Sequence, residues 1–120
     1  MSDDARILTV LTTTGSEEKA RELAACAVRE RVAACAQISA PVTSVYRWDG
    51  AVQQDPEWQV LFKTARARYE ALEAYLLRAH DYDVPEIIAT PVVRGGEGYL
   101  AWVEEETSAA REETSAPGSS

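Results

Sequence analysis

An α+β fold in the order β-α-β-β-α-β is predicted by three features of this sequence: two stretches with helical apolar spacing, strand-like runs flanking them, and an Asp49-Gly50 hairpin signal between the central runs. With 120 residues and 46% apolar content, the chain has room for one such domain and no second.

The first strand is Ile7-Leu8-Thr9-Val10-Leu11-Thr12-Thr13, almost continuously apolar and β-branched, the pattern of a strand covered on both faces. Thr14-Gly15-Ser16-Glu17-Glu18 forms a helix start. Its hydroxyls can accept orphan amide hydrogens, its carboxylates favour the positive helix end, and Thr14 with Glu17 has capping-box spacing. Ala20, Leu23, Ala24, Ala27 and Val28 then recur at helical spacing, so one side of this helix can lie on a sheet. From Ala33 to Trp48 the pattern is that of one long strand, with Val42, Ser44, Tyr46 and Trp48 on one parity and Pro41 marking a bulge or edge.

Asp49-Gly50 turns the chain, and the strand returns through Trp58 to Thr64. Tyr69, Leu72, Leu76 and Ala79 form the stripe of a second helix, which must end before Pro85. Glu86 to Val93 is the last main strand, Gly95 to Gly98 a turn, and Tyr99 to Val103 a short C-terminal helix. The expected organisation is a flexible N-terminus over 1–5, a folded domain over 6–106 and a disordered tail over 107–120, rich in Ser, Ala, Glu and Pro. This order is the split pattern of ferredoxin-like folds, in which both helices cover one sheet face. The opposite face would carry apolar residues with no helix left to cover them, which points to self-association.

A net charge of −8 disfavours phosphate backbones and anionic lipid surfaces, so neither nucleic acid nor membrane is an expected partner. The absence of a long apolar run and the acidic start Met1-Ser2-Asp3-Asp4 suggest a cytoplasmic protein. Cys26 and Cys35, nine apart, match neither a CxxC redox pair nor a disulfide framework.

Chemistry concentrates in His80-Asp81-Tyr82-Asp83-Val84-Pro85-Glu86, where an imidazole, carboxylates and a phenol share one short segment. His80, Asp81 and Cys35 are candidate metal ligands for copper or another divalent cation, by donor chemistry. Against this, His80 can simply end the helix, and a small thiol in a strand is ordinarily core. Lys63 is a cation in an otherwise buried run, requiring Glu57 or Glu86 as partner or else facing a cleft that holds an anion. Tyr46, Trp48, Tyr82, Tyr99 and Trp102 exceed what a small core requires, and suit a subunit interface or a ligand-lined cleft. Catalysis has little support, since no nucleophile signature surrounds the single histidine, and Thr12 to Ser16 lacks the lysine and glycine spacing of a phosphate loop. No organic cofactor is indicated.

Arg31-Val32-Ala33-Ala34-Cys35, Ser44-Val45-Tyr46-Arg47-Trp48-Asp49-Gly50, Phe62-Lys63-Thr64, His80 to Ile87 and Gly98-Tyr99-Leu100-Ala101-Trp102 together resemble the CutA divalent-cation tolerance family, in family order. The resemblance implies a ferredoxin-like protomer in a PII-like homotrimer whose long hairpins extend the neighbouring sheet. It also implies intersubunit clefts, to which Trp48, Lys63, Tyr82, Glu86 and Tyr99 would contribute. A non-enzymatic role in copper and divalent-cation tolerance follows, by direct metal binding. The alternatives are a sensor binding an anionic ligand in the clefts, or a trimeric docking scaffold. Thr12, Ala79 and His80 stand where copper-binding relatives have a cysteine and two adjacent histidines, and Asp81 stands where the family usually has proline.

Overall fold

The computed structural model describes residues 5–108, and they form a single antiparallel sheet with helices on both faces. Strand β1 spans Ile7–Thr14, helix α1 Glu17–Arg29, β2 Cys35–Ile38, β3 Val42–Trp48, β4 Ala51–Ala65, α2 Tyr69–Ala79, β5 Ile88–Pro91 and α3 Glu97–Glu106. The sheet order is β2-β4-β1-β5, with β3 paired to the outer half of β4. If β2 and β3 count as one interrupted strand, this is the predicted ferredoxin-like α+β topology. The expected tail lies outside the described residues from 109 onward. Thr107, assigned to that tail by composition, is buried, and its hydroxyl donates to the Val103 carbonyl at 2.8 Å.

Alternation along β1 and β4 sorts the two faces. Leu8, Val10 and Thr12 pair with Thr64, Phe62 and Val60 on the side covered by α1 and α2, where Leu23, Leu72, Tyr75 and Leu76 close the main core. Ser16 caps α1, its hydroxyl accepting the Lys19 amide hydrogen at 3.0 Å. Thr14, expected to open this helix, instead ends β1, and its hydroxyl donates to Asp81 Oδ1.

The expected long strand from Ala33 to Trp48 is two strands. Ser39 still trades hydrogen bonds with Gln59, through its amide and then its hydroxyl, but Pro41 has no amide hydrogen to continue the ladder. Beyond the break, Asp49 and Gly50 take φ of 55° and 80° between the paired Trp48 and Ala51, the left-handed values of a two-residue hairpin turn. β5 is shorter than the predicted 86–93, leaving Glu86 in the loop before it.

The second face differs from expectation. α3 is longer than predicted and covers one end of it, burying Ile7, Ala34 and Val103. The other end stays open, with Leu61, Leu11 and Ile88 side by side across β4, β1 and β5. Lys63 also faces this side, and its Nζ donates to Gln37 Oε1 at 2.7 Å. Neither proposed carboxylate partner can reach it. Glu57 is six residues away on the same extended strand, roughly 20 Å, and Glu86 accepts from Thr13.

Among the described residues, one buried side-chain polar atom has no hydrogen-bond partner, Thr12 Oγ1. A buried hydroxyl without a partner costs about 1–3 kcal/mol. Thr12→Val keeps the shape and removes the polar atom, so it should stabilise the fold by about 1 kcal/mol. Thermal unfolding should then shift upward by roughly 4–8 °C, and an unchanged or lower midpoint would mean that the hydroxyl is satisfied.

Candidate functional site

The site is built where the outer hairpin passes the loop that follows α2. That loop is organised by His80, whose side chain is fully buried. Its Nδ1 accepts the Tyr82 amide hydrogen at 3.0 Å, so the ring proton belongs on Nε2, which donates to the Thr13 carbonyl at 2.9 Å. The imidazole thus fastens the end of α2 to the end of β1. Asp81 flanks it, with Oδ1 3.1 Å from Nδ1 and within reach of the Thr14 hydroxyl at 3.3 Å.

Tyr82 is positioned by three neighbours. Its ring lies 4.8 Å from that of His80, its hydroxyl donates to Glu57 Oε2 at 2.6 Å, and Gly15 lies beneath it. A Cβ at position 15 would come within 3.3 Å of the phenol oxygen, so the absence of a side chain there makes room for it. Burial, and then the Glu57 carboxylate, push the phenol well above its ordinary pKa, so it remains a neutral donor. On the hairpin, Tyr46 donates to Asp55 at 2.5 Å, and that carboxylate raises its pKa in the same way.

Between these walls lies a cleft of about 620 Å³, whose lining runs along the hairpin from Ser44 and Val45 to Tyr46 and Trp48, across Thr13 and Glu57, and over Tyr82, Asp83, Val84 and Glu86 of the loop. Of the five residues expected at a cleft between subunits, Trp48, Tyr82 and Glu86 line this cleft within one chain. Lys63 and Tyr99 of the same chain lie elsewhere. Tyr99 lies on α3, its ring 5.5 Å from Trp102, and burial followed by the neighbouring Cys35 thiol raises its pKa. Cys35 pairs with Lys63 across β2 and β4, so Cys35, Lys63 and Tyr99 belong to the open face. Glu57 and Asp83 were not singled out for the cleft. The parity that puts Glu57 on the face of Tyr46 and Trp48 was available, but only the pairing with β3 shows that this face meets the loop.

The candidate metal ligands do not converge. Both His80 nitrogens are occupied by backbone groups. Cys35 pairs with Lys63, which pairs with Thr9, four residues from the Thr13 carbonyl that His80 holds. That is roughly 13 Å along the strand. Among the described residues, no three His, Cys, Asp or Glu side chains are grouped so as to hold a metal ion. The residues present in one chain do not fit a tight metal centre.

Residues 8–106 match the family model described as CutA1 divalent ion tolerance protein. The chain belongs to the CutA1 family. A divalent-cation tolerance protein CutA from Thermus thermophilus is 44% identical over 98 residues, covering 82% of this chain and 95% of that protein. The chloroplastic protein CutA of Arabidopsis thaliana is 38% identical over 100 residues, covering 83% of this chain but only 55% of the plant protein. Among solved structures, the CutA1 from the psychrotrophic bacterium Shewanella sp. SIB1 superposes with a TM-score of 0.85 at 33% identity, covering 88% of this chain and 98% of that one. The family is named for tolerance of divalent ions, and its members include one named for the chloroplast. Among the described residues, no helix is long and apolar enough to cross a membrane.

Proposed function

We propose that this CutA1-family protein serves divalent-cation tolerance without catalysing a reaction, as a cytoplasmic homotrimer whose working part is the cleft between the hairpin and the 80–87 loop. The observation that supports this best is convergence. The segments 44–50 and 80–87, which carry much of the family resemblance yet lie about 30 residues apart in sequence, supply most of the cleft wall. Side chains spent only on folding need not meet at a solvent-accessible concavity, whereas ligand sites are concave and aromatic-rich. The open row of Leu61, Leu11 and Ile88 favours self-association, and two free thiols go with a reducing compartment.

In a copper-sensitive strain lacking its own relative, the parent chain should restore growth and Trp48→Ala, expressed to the same level, should not. Equal rescue by both would remove the cleft from the function.

Direct tight binding of copper at His80, Asp81 and Cys35 is the competing account, and the engaged imidazole argues against it. His80→Ala should destabilise the fold by about 2–3 kcal/mol, because it leaves the Thr13 carbonyl and Tyr82 amide without partners. Calorimetric titration with copper and zinc should nevertheless give the same result for the parent, Asp81→Ala and Cys35→Ser. Saturable binding near one ion per subunit that disappears in either of these milder variants would restore the metal site and overturn our reading.

A further inference from the structure

We infer that α3 is a strap, a helix that leaves and rejoins the sheet as a unit while β1, β4 and the main core stay folded, and that Arg6 and Arg31 are its latches. The inference stands apart from the cleft and rests on contacts and charges within one chain.

By its own sequence α3 is a poor helix. Its ten residues are fewer than the roughly 12–15 at which an isolated helix becomes even marginally stable in water. Gly96 caps it without a side-chain hydrogen bond, and Gly98 occupies its first turn, where glycine weakens a helix relative to alanine. Glu97 suits the positive helix end, but Glu104, Glu105 and Glu106 crowd the negative end, and no basic residue lies in the last turn. The apolar anchor is small as well. Val103 is buried against Ile7 and Ala34, whereas Leu23, Leu72, Tyr75 and Leu76 hold α1 and α2 on the main core.

Two arginines supply what the helix lacks. Arg6 reaches Glu97 at 2.9 Å and Glu104 at 2.8 Å, two turns apart on one side of α3. Arg31 donates to the Glu106 carboxylate at 3.2 Å and to its carbonyl at 3.1 Å, taking up one of the acceptors that a helix end leaves open. It does so from φ 62°, just past the C-cap of α1, where the left-handed backbone favours glycine. A glycine would relax that backbone but could not reach α3, so the strained position is held by the side chain that makes the latch. The Arg31 carbonyl in turn accepts from the Arg68 guanidinium at 3.3 Å, which fixes the latch to the framework.

α3 covers Ile7 and Ala34 on the sheet face that also carries Leu61, Leu11 and Ile88. Its release would extend that row toward the start of β1, so the strap sets how much of the face is available for contact.

Hydrogen exchange of the full-length protein, read by mass spectrometry at one protein concentration, tests this. The amides from Leu100 to Thr107 should be at least about tenfold less protected than those of β1 and β4. Val10→Ala loosens the main core and should speed exchange in β1 and β4 while α3 keeps the parent's rate, because release of the strap leaves that core intact. Arg31→Gln keeps the backbone demand at position 31 but removes the guanidinium, and should speed exchange in α3 about fivefold. Arg6→Gln should act in the same direction and serves if the first variant does not fold. Exchange of α3 at the rate of the sheet, as a neighbouring copy clamped over it would produce, would overturn the strap, and so would acceleration in step with the sheet in Val10→Ala. Fast exchange of α3 that neither arginine variant changes would overturn the latches.

Discussion

Phe62→Ala should lower the unfolding free energy by about 3–5 kcal/mol, a large share of the roughly 5–15 kcal/mol that holds a typical domain together. The ring is fully buried on β4, the strand that pairs with β1, β2 and β3. Its lateral neighbours are Val10 on β1 and Ala36 on β2, and the small alanine leaves the phenyl group to fill the space beneath the helices. Leu23, Leu72 and Leu76 close over the same core from α1 and α2 and are themselves fully buried. Paired backbone on both flanks prevents the sheet from collapsing into the vacated volume, so the cavity cost adds to the lost burial. Urea unfolding at one fixed protein concentration checks this, because a self-associating protein gains stability with concentration. A loss under about 1 kcal/mol would mean that the core closes around the missing ring, contrary to the packing described.

How much of this was legible in the sequence depended on whether local chemistry or long-range pairing decided the outcome. The hairpin was legible because Asp49-Gly50 accepts the two positive φ values that a two-residue turn demands. The helix stripes were legible because Leu23, Leu72 and Leu76 recur at a spacing that only a helix can bury together. The extent of α3 was not. Its last turn, Glu104-Glu105-Glu106, has the composition of a solvated tail, yet Glu104 pairs with Arg6 at 2.8 Å and Glu106 with Arg31 at 3.2 Å. Arg6 also holds the Glu97 and Glu104 carboxyls below their ordinary range, through hydrogen bonds from a residue some ninety positions away. No local pattern announces such partners.

The candidate site divides along the same line. Trp48, Tyr82 and Glu86 are named by their motifs, and all three line the cleft of a single chain. The partner of Lys63, Gln37 rather than Glu57 or Glu86, was not legible because parity gives the face of a strand but not the position along it. The six residues that separate Lys63 from Glu57 set them at opposite ends of the sheet. His80 was ambiguous for a different reason: an imidazole beside a carboxylate looks the same in sequence whether its nitrogens await a metal or bind backbone.

Ile88→Glu should convert the proposed trimer into single chains. Leu61, Leu11 and Ile88 lie in register across three adjacent strands, on the part of the sheet that α3 leaves uncovered. Leu61 and Leu11 are only partly buried and Ile88 is 54% exposed, so a lone chain presents this aliphatic row to water. In a lone chain a carboxylate at position 88 would be solvated, and folding should change by no more than about 0.5 kcal/mol. Between subunits the same carboxylate would have to lose its water without a partner, at a cost of several kcal/mol. Threefold symmetry would repeat that cost three times in one assembly. The variant should therefore keep the parent's circular dichroism while light scattering reports the mass of one chain instead of three. A variant that stays trimeric would exclude this row from the interface. A parent that is itself a single chain would remove the trimer, and with it the reason for three aliphatic side chains to stand open to solvent on an otherwise well-packed sheet.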